Sequence, residues 1–184
     1  MIFRATPLLG AFLVELDPHV DQRGLFARSF CEREFAEHGL ATRYSQGNVS
    51  WNRSRGTLRG MHWQAAPHAE AKLVRCTAGA IYDVIVDLRR GSPSCLRWFA
   101  VELSARNRIA LYVPEGFAHG FLTLADETEV FYWMSESHAP EAARGLRFDD
   151  PRLAIAWPTD PTEVSERDLG HPHFDESLLC GDPT

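Results

Sequence analysis

The sequence predicts an all-β protein whose strands close into a sandwich or a jelly-roll barrel. Three observations carry this. Apolar segments are short and are cut repeatedly by Gly, Pro, Asn and Asp. Ten such segments follow one another, with little helical period among them. Prolines at 151, 158, 161 and 172 leave the end of the chain irregular. Ten strands around one core call for closure, which removes exposed sheet edges and leaves an interior that side chains can line.

The first strands are expected near 11–16 and 26–30. One helix follows: Ser29 and Glu32 fit an S-x-x-E capping box, Phe35 supplies an apolar position, and Gly39 suits the C-terminal cap. Further strands are expected near 44–51, 57–64, 72–77, 80–88, 97–103, 108–113, 119–124 and 128–135. Turn chemistry separates them. Ala78-Gly79 divides two strands, Arg90-Gly91-Ser92-Pro93 ends another, and Pro114-Glu115-Gly116 makes a tight turn. Ala125-Asp126-Glu127 reads as a hairpin tip. A single domain over 1–184 is expected, with an irregular tail from about residue 158.

Composition narrows the function. With 45% hydrophobic and 24% charged residues, the chain is ordinary globular material rather than a disordered or fibrous one. The net charge of −6 argues against a nucleic-acid partner, which would call for a basic surface. No stretch approaches the ~20 apolar residues that span a bilayer, and Met1 to Leu16 lacks the apolar core of a signal peptide. Cys31, Cys76, Cys95 and Cys180 lie far apart with no C-x-x-C pair, which points to a reducing cytoplasm. Among 19 basic residues, 18 are Arg and one is Lys, at Lys72.

Strand parity sorts the candidates for chemistry. Leu58, Gly60, His62 and Gln64 share one face, as do Lys72, Val74 and Cys76. His119, Phe121 and Thr123 share another, as do Val130, Tyr132 and Met134. Each set mixes a polar or titratable group with small or apolar residues, as a barrel interior with a reactive floor would. Arg59 falls on the opposite parity and needs a bulge or twist to point inward. Structural readings stand beside these: His62 as a satisfied core histidine, Tyr132 as core packing, Asp168 as the last residue of an S-x-x-D helix cap. Lys72 is harder to read as structural. Lysine is depleted in buried strands, and an ammonium differs from a guanidinium in being compact and tunable.

Pro114-Glu115-Gly116-Phe117-Ala118-His119 fits the P-x-G-x-x-H half of the cupin signature. The other half, H-x-H followed by Glu, is here His62-Trp63-Gln64 with Glu70 beyond. A metal-dependent cupin would therefore use His62, Glu70 and His119, with Gln64 beside them.

A longer series of motifs is more specific. It comprises Asp21-Gln22-Arg23-Gly24-Leu25-Phe26, Gln46-Gly47-Asn48-Val49-Ser50 and Leu58-Arg59-Gly60-Met61-His62-Trp63-Gln64. It continues through Lys72-Leu73-Val74-Arg75, Asp83-Val84-Ile85-Val86-Asp87-Leu88-Arg89 and Pro114-Glu115-Gly116-Phe117-Ala118-His119-Gly120-Phe121. Tyr132, Asp149-Asp150-Pro151, Trp157-Pro158 and Ser165-Glu166-Arg167-Asp168 follow in order. Over roughly residues 3–170 the chain resembles the dTDP-4-dehydrorhamnose 3,5-epimerase family of nucleotide-sugar isomerases.

The resemblance implies a cupin-type jelly-roll β-barrel with short peripheral helices, no metal and no cofactor. It implies a homodimer that exchanges N-terminal strands, and a nucleotide-sugar substrate from deoxysugar biosynthesis. It also implies roles: His62 as general base, Asp168 as its carboxylate partner, Lys72 beside the substrate's C4 carbonyl, and Tyr132 as general acid. Arg23, Phe26, Arg28, Gln46, Asn48, Arg59, His119, His138 and Arg167 fall at positions expected to hold the nucleotide and sugar. The expected reaction inverts C3, C5 or both in a nucleotide-diphosphate-linked 4-keto-6-deoxy sugar. A non-catalytic sugar-nucleotide binding module is the remaining alternative.

The chain departs from the family pattern around the base. Arg28 stands where Glu is common, Ser137 and His138 where tyrosines are common, Glu70 for Gln and Arg167 for Lys. Glu to Arg turns an acceptor into a donor. Two expectations follow: an altered base preference, or retained dTDP with drift at an exposed site.

Overall fold

The computed structural model describes residues 1–181. The strands are β1 (Ile2–Ala5), β2 (Phe12–Glu15), β3 (His19–Asp21), β4 (Gly24–Phe26), β5 (Gln46–Asn52), β6 (Thr57–Gln64) and β7 (Lys72–Ala78). They continue with β8 (Ala80–Asp87), β9 (Trp98–Ser104), β10 (Ala110–Val113), β11 (Phe117–Thr123), β12 (Thr128–Met134), β13 (Ala143–Gly145) and β14 (Glu163–Val164). Two short helices, α1 (Glu32–Glu37) and α2 (Glu166–Leu169), are peripheral. One sheet runs β1-β2-β10-β7-β12-β5; the other runs β13-β6-β11-β8-β9, with β14 parallel to β6. The two pack as a jelly-roll sandwich, as the sequence predicts. No helix among the described residues is long and apolar enough to cross a membrane.

Alternation explains the first core. Val74 and Cys76 of β7, Leu111 and Val113 of β10 and Val130 of β12 point from one sheet onto Ile81 and Ile85 of β8 and Phe117 and Phe121 of β11. Polar members of the same alternating faces, Lys72, Tyr132 and His119, lie at one end of this packing. The floor of a cavity is thus a continuation of the core.

The second core explains why β11 is buried along its whole length. Met61, Trp63, Val84, Val86 and Ala118 face away from the first core and are covered by Leu146, Leu153 and Phe174. The proline-rich tail is therefore a packed third layer. Each large apolar side chain it buries contributes roughly 1.5–3 kcal/mol. Trp157 closes it by donating Nε1–H to the Phe148 carbonyl at 2.9 Å.

Four sequence expectations are corrected. The strand expected at 26–30 ends at Phe26, as half of the β3–β4 ribbon. Beyond it Phe30 turns inward against Phe35, Tyr44 and Trp133, which leaves residues 27–30 without a ladder. The helix is capped by Cys31, not Ser29, and has no side-chain cap. Gly39 does follow its C-cap, at φ +69°. Strands β1, β3, β13 and β14 were not expected, because each is four residues or fewer and lacks a clear alternating pattern. The tail beyond 158 carries β14 and α2.

A bulge aims the site. Opposite β11, His119 pairs with His62 and Phe121 pairs with Arg59, so β6 carries one extra residue between them. Gly60 makes this possible: its φ is +141°, and a Cβ there would lie 2.5 Å from Gly120 Cα. The bulge shifts parity by one, so that Arg59 and His62 both line the cavity.

Candidate active site

A cavity of about 570 Å³ opens at one end of the sandwich. His62 on β6 and His119 on β11 line it from one sheet; Lys72 on β7 and Tyr132 on β12 line it from the other. Asp168, Arg167 and Ser165 enter from the tail, and His138 and Arg144 from the loop before β13 and from β13 itself.

His62 Nε2 lies 2.6 Å from Asp168 Oδ1. A carboxylate only accepts, so the ring keeps its proton on Nε2 and Nδ1 is left with a lone pair. Asp168 is held at three points. Its Oδ2 accepts from the Gly60 N–H at 3.3 Å, and its own N–H donates to Ser165 Oγ at 3.1 Å. Ser165 is indeed the N-cap of α2, so the helix-cap reading of Asp168 holds while its carboxylate also meets His62. Burial alone would push the Asp168 carboxyl up. The hydrogen bond and charge of His62, with the Gly60 N–H, outweigh it and hold the carboxyl below its usual range.

Lys72 is 7% exposed. Its Nζ lies 3.0 Å from Glu70 Oε1 and donates to the His62 carbonyl oxygen at 3.3 Å. An ammonium has three donors, so one N–H remains for a ligand oxygen. Glu70 is fixed in turn, its Oε2 accepting from the Gln64 N–H at 3.0 Å. The site thus supports a buried ion pair with satisfied hydrogen bonds, the condition under which such pairs are tolerated.

Tyr132 is in β12, opposite the wall that carries His62. Burial pushes its phenol above the ordinary value, against the opposing pull of Arg59. It is therefore a proton donor throughout the neutral range. Arg59 is aimed by the buried Asn52, whose Oδ1 accepts from Arg59 Nε at 2.7 Å.

The metal arrangement His62, Glu70 and His119 is not formed. Glu70 is committed to Lys72, and His119 Nε2 lies 2.8 Å from Oδ1 of the fully buried Asp83. Sequence reasoning gave Asp83 no role, although an acid inside Ile81-Tyr82-Asp83-Val84-Ile85 was a signal. It also missed Arg144 and His171. His171 Nε2 is 3.6 Å from Asp168 Oδ1.

Five expected ligand-binding residues stand outside this chain's cavity lining. Gln46 and Asn48 lie further along β5 on the face of Ser50, with Gln46 Oε1 accepting from the His138 N–H at 2.7 Å. Arg23 and Phe26 sit on the exposed β3–β4 ribbon; Arg23 pairs with Asp21. Arg28 pairs with Glu34 at 2.8 Å. The cations around the cavity are therefore Arg59, Arg144 and Arg167 with Lys72, rather than Arg23 and Arg28.

Comparison with known proteins places this geometry. Residues 5–176 match the family model described as dTDP-4-dehydrorhamnose 3,5-epimerase. The enzyme of that name from Sinorhizobium fredii is 41% identical over 177 residues, covering 96% of this chain and 91% of that one. The crystal structure of the Elizabethkingia anophelis enzyme superposes with a TM-score of 0.92 at 37% identity, covering 95% and 96% of the two chains. That of a Legionella pneumophila 3,5-epimerase in complex with dTDP-4-keto-L-rhamnose superposes with a TM-score of 0.91 at 32% identity, covering 100% and 99%. The chain belongs to the dTDP-4-dehydrorhamnose 3,5-epimerase family of isomerases.

Proposed function

We propose that the cavity binds a dTDP-linked 4-keto-6-deoxy sugar and inverts it at C3, C5 or both through an enolate. The observation that carries this is the placement of a His–Asp pair on one wall and a protonated tyrosine on the other, which also carries an ammonium that reaches the His62 carbonyl. A proton beside a ketone is weakly acidic, so its removal needs a base and a partner for the enolate oxygen. His62 Nδ1 takes the proton, and Asp168 stabilises the imidazolium that forms. Lys72 directs its remaining N–H to the C4 oxygen. Tyr132 returns a proton from the opposite face, which inverts the carbon; proton return by His62 would restore the starting configuration.

Arg59, Arg144, Arg167 and His119 line the cavity where the diphosphate and sugar are held, and their charges focus a dianion into an acidic protein. Glu34 already engages Arg28, which supports dTDP over a changed base. The chain acts as a homodimer. Strand β5 is a sheet edge that exposes Val49 and Trp51, and the β3–β4 ribbon exposes Val20 and Phe26. Exchange of N-terminal strands would cover both and carry Arg23 and Phe26 toward the partner's cavity. Sedimentation equilibrium at micromolar concentration tests this, and a monomer would refute it. Four free thiols fit a cytoplasmic enzyme.

Solvent exchange tests the activity. In heavy water, with dTDP-, CDP- and GDP-linked 4-keto-6-deoxy sugars offered separately, NMR should show deuterium entering C3 or C5 of the dTDP sugar fastest. Absence of exchange at both carbons in all three sugars would overturn the reading.

A further inference from the structure

We propose that His62, Asp168 and His171 form a binding site for a divalent transition-metal ion, and that an ion such as zinc in this site switches the epimerase off. Their donor atoms all lie within 4.8 Å of one another, the only such His/Cys/Asp/Glu group among the described residues. Two imidazoles and a carboxylate suit zinc, cobalt or nickel. Bonds of about 2.0–2.2 Å in tetrahedral array set donors about 3.3 Å apart. The observed 2.6 Å between His62 Nε2 and Asp168 Oδ1 therefore has to open slightly. The 3.6 Å from His171 Nε2 to the same oxygen is nearly right already.

A second observation singles out His171. Its Nε2 is buried and has no hydrogen-bond partner, a costly state for an imidazole nitrogen. The ring is fixed edge-to-face against His62 at 5.6 Å, with its tip over Gly145, where even a Cβ would lie 2.2 Å from Nε2. A metal ion beside Asp168 Oδ1, 3.6 Å away, would give this nitrogen a partner. His62 remains partly exposed to the cavity, which supplies the entry path.

The inhibitory consequence rests on the proposed function; the metal site does not. Without metal, His62 holds its proton on Nε2 and offers the lone pair of Nδ1. A metal on Nε2 takes the place of the proton there: the neutral imidazole binds the ion through the Nε2 lone pair and carries its one proton on Nδ1 instead. No net charge changes on the ring and no electron is transferred. The nitrogen that faces the substrate becomes an N–H and can no longer accept a proton.

The test uses full-length protein stripped with a chelator and desalted. Cobalt(II) is titrated in and followed by its visible absorption, with zinc as competitor. One equivalent should bind to the wild type. His171→Ala, and the bulkier His171→Gln in case the alanine variant misfolds, should weaken binding by more than about tenfold, since a lost ligand costs at least as much as a lost outer-shell partner. Zinc should inhibit wild-type exchange reversibly and the variants only at correspondingly higher concentration, each normalised to its own metal-free rate. No stoichiometric uptake by the wild type, or equal uptake by the His171 variants, would overturn the site. Binding without inhibition would overturn the switch alone.

Discussion

His62→Ala should lower deuterium exchange at the sugar by about 10²–10⁴-fold, the range a positioned acid–base group contributes. The loss should fall on kcat, because the cations that hold the diphosphate are untouched. The expectation rests on Nε2 being committed to Asp168 at 2.6 Å, which leaves Nδ1 as the only basic nitrogen of the ring. His171 lies beside it but cannot take over, since its Nε2 points at Asp168 rather than at the cavity. Folding should be little affected. His62 is partly exposed, so its truncation opens no sealed cavity. A variant that folds and exchanges at the wild-type rate would remove the role assigned to the ring.

The second large effect is expected at Lys72. Lys72→Arg keeps the charge and so isolates geometry, whereas Lys72→Ala would leave the Glu70 carboxylate buried and unpaired, at a cost of about 3–5 kcal/mol. The ammonium is compact, and two of its donors are committed to Glu70 Oε1 and the His62 carbonyl. A guanidinium is planar and longer, and would not fit the same pair of acceptors while presenting a donor at the C4 oxygen. Exchange should fall by about 10²–10³-fold, the scale of losing one oxyanion donor. Unchanged turnover in Lys72→Arg would show that the lone lysine of an Arg-rich chain reflects composition only.

Much of this was legible in the sequence because alternation is a strong constraint. Lys72, Val74 and Cys76 had to share a face, and so did Val130, Tyr132 and Met134; one end of each set reached the cavity and the rest joined the core. Arg59 could not be placed by parity, since a bulge moves every residue beyond it to the other face and only Gly60 marks its position. Asp168 lies 106 residues from His62, a separation no local pattern spans; its assignment came from family resemblance. His171 and Asp83 were missed for a related reason. Each acquires its partner through tertiary packing, His171 through the tail folding over Gly145 and Asp83 through β8 lying beside β11. The β3–β4 ribbon was misread because Phe26, apolar enough to open a buried strand at 26–30, is exposed in this chain, and the three-residue β3 shows no alternation to mark it.

The central claim is that proton removal and proton return come from opposite walls of one cavity. Tyr132→Phe tests it most directly, because the phenyl ring keeps the packing against the core and removes only the hydroxyl. With a dTDP-linked 4-keto-6-deoxy sugar in heavy water, NMR should show deuterium entering C3 or C5 with the starting configuration largely kept. Inverted product formed at the wild-type rate would contradict the two-wall arrangement.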